Sequence, residues 1–212
     1  MSDTNTLVDP YLGFNWTEYA DAPLDIGVDV DDVLFPWYDM VHEACCKAGI
    51  SGGVTPITYA PYDEYGISRE EWLDVVNPLV INGAYLKQPP VQGSAEAMRR
   101  LHWAGHRVHV ITARGFFEYG ELLRIHTKRW LHEWAIPFDS LTFTQDKAPV
   151  ATELGITRFL DDHLKNYYAL RWDADIPCRL LTKPWNQDEA IPLEHRVATV
   201  DDFVNDILGG MA

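Results

Sequence analysis

Three apolar runs in this chain end in residues able to do chemistry. Leu24-Asp25-Ile26-Gly27-Val28 leads into Asp29-Val30-Asp31-Asp32-Val33, Arg107-Val108-His109-Val110-Ile111 into Thr112-Ala113-Arg114, and Arg158-Phe159-Leu160 into Asp161-Asp162. Lys147 lies between the second and third. If the backbone leaves its strand after Asp29, Asp29 and Asp31 face one centre. One carboxylate can then attack phosphorus while the other gives a proton to the leaving oxygen. Two such anions repel each other and a phosphate, so a cation is required. Mg²⁺ suits oxygen ligands and keeps several waters. Asp29, the backbone carbonyl of Asp31 and an acid from Asp161-Asp162 could hold it. Thr112 can hydrogen-bond a phosphoryl oxygen, Lys147 can neutralise developing charge, and Arg114 is a further candidate phosphate contact. Singly, Thr112 reads equally well as a helix cap, and Lys147 reads more readily as a surface group. Their order along the chain is what points to one site.

Such residues need a scaffold that gathers strand ends. The three runs, with Leu141-Thr142-Phe143, Arg179-Leu180-Leu181-Thr182 and Arg196-Val197-Ala198-Thr199-Val200, predict strands. Helical spacing is predicted from Trp37 to Ala48, Arg69 to Val76, Gly93 to Ala104, Tyr119 to Trp134, Val150 to Leu154 and Asn166 to Trp172, with a closing helix capped by Asp201. Ser68 and Glu71 form a capping-box pattern, and Pro78 is expected to end the helix that follows. Residues 50–66 and 82–90 read as loop and turn. The alternation predicts an α/β fold with a parallel sheet covered on both faces. Ligands of such sheets bind beyond the carboxyl ends of the strands. Residues 1–23 read as an irregular arm pinned by Tyr11, Phe14 and Trp16.

The chain has 212 residues, 47% of them apolar, enough for one substantial core. With 17 Lys and Arg against 32 Asp and Glu, the formal charge is −15, which opposes binding to long nucleic acids or anionic membranes. A small phosphorylated substrate is still accommodated, since a bound divalent ion reverses the local field. Cys45, Cys46 and Cys178 offer neither a zinc spacing nor an even count for disulfides. The polar, acidic start MSDTNTLVDP is unlike a signal peptide, and no apolar run could span a bilayer. The expectation is a cytoplasmic protein. The sequence leaves the oligomeric state open, with room for a homodimer.

The blocks DVDDV, ITAR, the isolated Lys147 and FLDDHLKN resemble, in order, the four motifs of the haloacid dehalogenase (HAD) superfamily over about residues 24–172. The resemblance implies a Rossmann-like core. It makes Asp29 the nucleophile, transiently phosphorylated, and Asp31 the acid and then base. It places Thr112 and Lys147 around the phosphate, where Ala113 and Arg114 are further candidates, and Asp29, Asp31 and Asp162 around Mg²⁺, with Asp161 the alternative to Asp162. About eighty residues separate Asp31 from Thr112, too many for a loop. They resemble the small helical cap that many of these phosphatases carry. The division is then 1–35 with 91–212 as core and 36–90 as cap.

Within the superfamily the chain is most similar to the 5'(3')-deoxyribonucleotidases. The similarity rests on Trp37 after DVDDVLFP, on Gly83-Ala84-Tyr85 with Pro89-Pro90-Val91-Gln92-Gly93-Ser94-Ala95, and on Lys183-Pro184-Trp185-Asn186. Thr112-Ala113-Arg114 departs from the Thr-Ser-Pro ending of that group. The resemblance implies a nucleoside monophosphate as substrate, with Trp37 against the base; Trp72 is a further candidate for substrate contact, and both read equally well as core of the cap. The alternatives are another small phosphate ester, a polynucleotide end, or a non-catalytic module of the same fold.

Overall fold

The computed structural model describes residues 23–209 apart from 117 and 189, so the arm with Tyr11, Phe14 and Trp16 lies outside the described residues. Six strands form one parallel sheet: β1 (Asp25–Val28), β2 (Arg107–Thr112), β3 (Ser140–Phe143), β4 (Arg158–Asp161), β5 (Cys178–Leu181) and β6 (Arg196–Val197). Their order is β3-β2-β1-β4-β5-β6. The chain winds outward from β1 on one side and from β4 on the other. The crevice where direction reverses therefore lies beyond the ends of these two strands, where Asp29 and Asp161-Asp162 stand.

Alternation along the strands divides the core into two layers. Val110, Leu160 and Leu181 pack with α5 (Ser94–Trp103), α6 (Gly120–Glu133) and α9 (Val200–Gly209). Ile111, Phe159 and Leu180 face α7 (Lys147–Glu153) and α8 (Leu164–Tyr168) instead. Gly27 is required for the second layer, because a Cβ there would lie 2.3 Å from the Phe159 ring. The segment between β1 and β2 folds as α1 (Trp37–Lys47), α2 (Pro61–Tyr65), α3 (Arg69–Ile81) and α4 (Ala84–Lys87). It has a small apolar cluster of its own, Val41, Cys45 and Val76 with Trp37, Tyr65 and Trp72 packed against it.

Several predicted boundaries move. Pro78 does not end α3, although Ser68 and Glu71 do form the capping box at its start. Pro78 and Asp74 are both exposed, so the carbonyl that loses its helical partner can turn to water. Two short helices, α2 and α4, lie in stretches read as loop and turn. The helix α7 begins at Lys147 rather than Val150, and β6 is two residues long. The closing helix is capped by Thr199, not Asp201. Thr199 Oγ1 accepts from the Asp202 N–H at 3.0 Å and its own N–H donates to Asp202 Oδ2 at 2.9 Å, while Asp201 pairs with Arg100. All three cysteines are free. Among the described residues no helix is long and apolar enough to cross a membrane.

Candidate active site

The loop after β1 sorts its side chains by burial. Val30, Val33, Leu34 and Phe35 are fully buried, so the intervening acids remain at the sheet's end. The Leu34 and Phe35 N–H groups donate to the Val30 carbonyl at 2.9 and 2.8 Å. Asp32 takes the left-handed conformation (φ 57°) to close this turn. Its Oδ1 accepts the Tyr38 N–H at 2.9 Å in the first turn of α1. Asp29 is anchored to β4 through its N–H, which donates to the Leu160 carbonyl at 3.1 Å.

Lys147, buried at the start of α7, links the ends of two strands. Its Nζ lies 2.7 Å from Asp29 Oδ1 and 2.7 Å from Asp161 Oδ2. Asp161 also accepts the His163 N–H at 2.8 Å and Asn166 Nδ2 at 3.1 and 3.2 Å, so its carboxylate is held within the protein. Asp162 is held more lightly, by the Trp185 indole N–H at 2.7 Å from Oδ2. Asp29, Asp161 and Asp162 each present an oxygen within 4.8 Å of the others.

Three buried carboxylates around one lysine leave uncompensated negative charge. Burial pushes the Asp29 carboxyl up to about 7 despite Lys147, with Asp161 and Asp31 pushing the same way. Burial, then Asp161 and Asp29, raise Asp162 well above the usual carboxylate range. Burial opposes the charge on Lys147, but Asp161 and Asp29 outweigh it and hold its pKa above the ordinary lysine value. An all-oxygen cluster short of positive charge suits a hard divalent cation. Asp29 and Asp162 line the adjoining cavity, whereas Asp161 is fully buried.

Thr112 is fully buried at the end of β2, and its Oγ1 accepts the Arg114 N–H at 3.4 Å. Ala113 lines the cavity. Arg114, expected beside the phosphate, turns instead into the protein. Its Nε and Nη2 lie 2.9 and 2.5 Å from Asp31 Oδ1, and Nη1 donates to Thr127 Oγ1 at 3.1 Å. The guanidinium sits 4.3 Å above the Phe35 ring. A buried arginine needs a carboxylate and a flat face; Asp31, at the edge of the cavity, and Phe35, in the core, supply them.

Above the acids is a cavity of about 230 Å³. Its floor is Asp29, Asp31, Lys147 and Asp162, and its walls include Trp37, Tyr38, Tyr59, Tyr65, Trp72 and Trp185. Trp37 also stacks on Tyr85 at 5.3 Å, and Trp72 packs in the insert's own core. Among the described residues lining the cavity, Lys147 alone is a lysine or arginine. The residues outside the description include neither type. Tyr59 and Asn166 were not picked out from sequence. Asn166 had a signal, since a helix opening just after Asp161-Asp162 returns its amide beneath Asp161. Tyr59, in a stretch of Gly, Pro, Thr and Tyr, had none.

No profile of a known protein family matches the chain. A Chlorobaculum tepidum protein named "Putative 5'(3')-deoxyribonucleotidase" is 24% identical over 173 residues, covering 76% of this chain and 82% of that protein. A Bacillus cereus protein named "Putative nucleotidase" is 26% identical over 151 residues, covering 66% of this chain and 76% of that protein. Among solved structures, a HAD family hydrolase from Deinococcus radiodurans with bound phosphate and sodium superposes with a TM-score of 0.59 at 15% identity, over 90% of this chain and 97% of that one. A haloacid dehalogenase-like hydrolase from Streptococcus pneumoniae gives 0.55 at 13% identity, over 87% and 98%. The chain thus has the fold of the haloacid dehalogenase superfamily and, within it, resembles the 5'(3')-deoxyribonucleotidases.

Proposed function

We propose that this protein is a magnesium-dependent phosphomonoesterase acting on nucleoside monophosphates. The observation that carries the reading is the position of Asp29, buried beside Lys147 at the floor of an aromatic-walled cavity. An Asp29 oxygen forms a bond to phosphorus as the bond from phosphorus to the leaving oxygen breaks, and Asp31 gives that oxygen a proton. Water then attacks the phosphoaspartate, Asp31 takes up its proton, and inorganic phosphate and free Asp29 result. Lys147 and the main chain around Ala113 face the phosphoryl oxygens, with Thr112 behind them. Asp29, the Asp31 carbonyl and Asp162 would hold Mg²⁺, which supplies charge neutralisation when bound.

Residues 36–90 act as a cap in this reading, and the insert's side chains in the cavity wall support that role. Trp37 and Trp72 offer flat apolar surface to a base. The absence of a second lysine or arginine in the described lining favours an uncharged leaving group. A nucleoside with a free hydroxyl fits that wall better than a bisphosphate or a polynucleotide end, whose further phosphate would face acids. The test is magnesium-dependent phosphate release from a panel of nucleoside monophosphates, nucleoside bisphosphates, phosphosugars and 5'-phosphorylated oligonucleotides. The monophosphates should have the highest kcat/KM, and preference for the substrates that carry a further phosphate, or for the phosphosugars, would overturn the assignment.

A further inference from the structure

The segment Lys183-Pro184-Trp185-Asn186 grips Asp162 at both ends. Trp185 Nε1 donates to Asp162 Oδ2 at 2.7 Å, and Asn186 Nδ2 donates to the Asp162 carbonyl at 2.7 Å. Asn186 is fully buried and tied to the end of β5. Its Nδ2 also donates to the Leu181 carbonyl at 2.7 Å, and its Oδ1 accepts the Lys183 N–H at 3.0 Å. From the insert, the Tyr59 hydroxyl donates to the same Asp162 carbonyl at 2.8 Å, with its ring 3.9 Å from His163. Among the described residues, Asp162 Oδ1 has no hydrogen-bond partner in the protein, and Asp162 lines the cavity. The face of Trp185 carries Tyr38 of α1, stacked at 4.3 Å.

We propose that Trp185 is a positioning residue for the divalent cation, fixing Asp162 so that Oδ1 is presented beside Asp29, and that the insert bears on the cation site through Tyr38 stacked on the same ring. The proposal rests on the metal reading given above. Asp162 has two acids as near neighbours, and repulsion would turn a free carboxylate away from them. An indole N–H can donate but cannot accept a proton or bind a metal, so its effect here is orientation. Loss of such an outer partner weakens metal binding by about 10- to 100-fold in other sites.

The test is Mg²⁺ titration calorimetry of the full chain with and without Trp185→Phe, which keeps a ring for Tyr38 but removes the donor. A dissociation constant about 10- to 100-fold weaker is expected, with kcat largely restored at saturating Mg²⁺. An unchanged constant in a variant that melts as wild type would overturn the role of Trp185. Should Trp185→Phe fail to fold, Trp185→Leu, which also lacks the donor, takes its place with the same two outcomes. Tyr38→Leu leaves the indole bond in place but removes the stacked ring; weaker Mg²⁺ binding is again expected, and an unchanged constant would overturn the insert's part in the site. Absence of Mg²⁺ binding by the wild-type protein would instead overturn the metal reading itself.

Discussion

Arg114 holds Asp31 by one oxygen. Both Nε and Nη2 converge on Oδ1, at 2.9 and 2.5 Å, while the Asp31 side chain remains about one-third exposed toward the cavity. The expected acid–base group is thereby fixed in direction by a buried cation that itself rests on Phe35.

If this grip aims Asp31 at the leaving oxygen, Arg114→Lys should impair catalysis according to the leaving group. A lysine is a point charge and cannot place two donors on one oxygen in the same plane. Turnover of a nucleoside monophosphate, whose alkoxide needs a proton, should fall by about 10²-fold or more. Hydrolysis of a nitrophenyl phosphate, which leaves without help, should fall much less. Equal losses on the two substrates would mean that Arg114 serves only to support the fold.

Trp37→Ala should raise KM for nucleoside monophosphates by about five- to a hundredfold, the equivalent of about 1–3 kcal/mol of lost base stacking. Hydrolysis of a small alkyl phosphate should scarcely change. Trp37 also stacks on Tyr85, so a purely structural role would lower activity on both substrates together.

The raised carboxyl of Asp29 predicts a pH signature. Between its ordinary value of 3.8 and about 7, the folded metal-free protein holds a proton there that the unfolded chain has released. Stability from this group is therefore lost as pH rises through that window. Asp29→Asn removes the titration, so without metal the variant should melt higher than wild type at pH 8, with the gap narrowing toward pH 5. Mg²⁺ requires the ionised ligand, so its affinity for the wild type should climb as pH rises toward 8, by up to about tenfold per pH unit for each proton released. Thermal melts and Mg²⁺ titrations across pH 5–8 check both, and a gap independent of pH would contradict the environment described for Asp29.

The residues at the ends of β1, β2 and β4 could be recognised in sequence because each follows a run of apolar residues that must be buried. Burial on both sheet faces leaves polar chemistry only at the strand ends. What Arg114 touches could not be read in this way, since an arginine after a strand carries no mark of whether it turns outward or inward. Its inward turn depends on Phe35 and Thr127, which are distant in sequence. Tyr59 likewise reaches Asp162 and Leu164 across more than a hundred residues, from a stretch whose composition says only loop. The passage of α3 through Pro78 was hidden because the effect of a proline depends on whether the freed carbonyl meets water. Lys147 became meaningful through its order among the blocks, and the contact with two carboxylates explains why it sits at the start of α7.

Asp29 as the attacking group is the centre of this account, and Asp29→Asn tests it most directly. The amide keeps the shape but cannot form the phosphoaspartate. With saturating Mg²⁺ and substrate, kcat should fall on the order of 10⁴-fold or more, while the variant melts no lower than wild type without metal at pH 8. Turnover near the wild-type rate in a folded Asp29→Asn protein would contradict it.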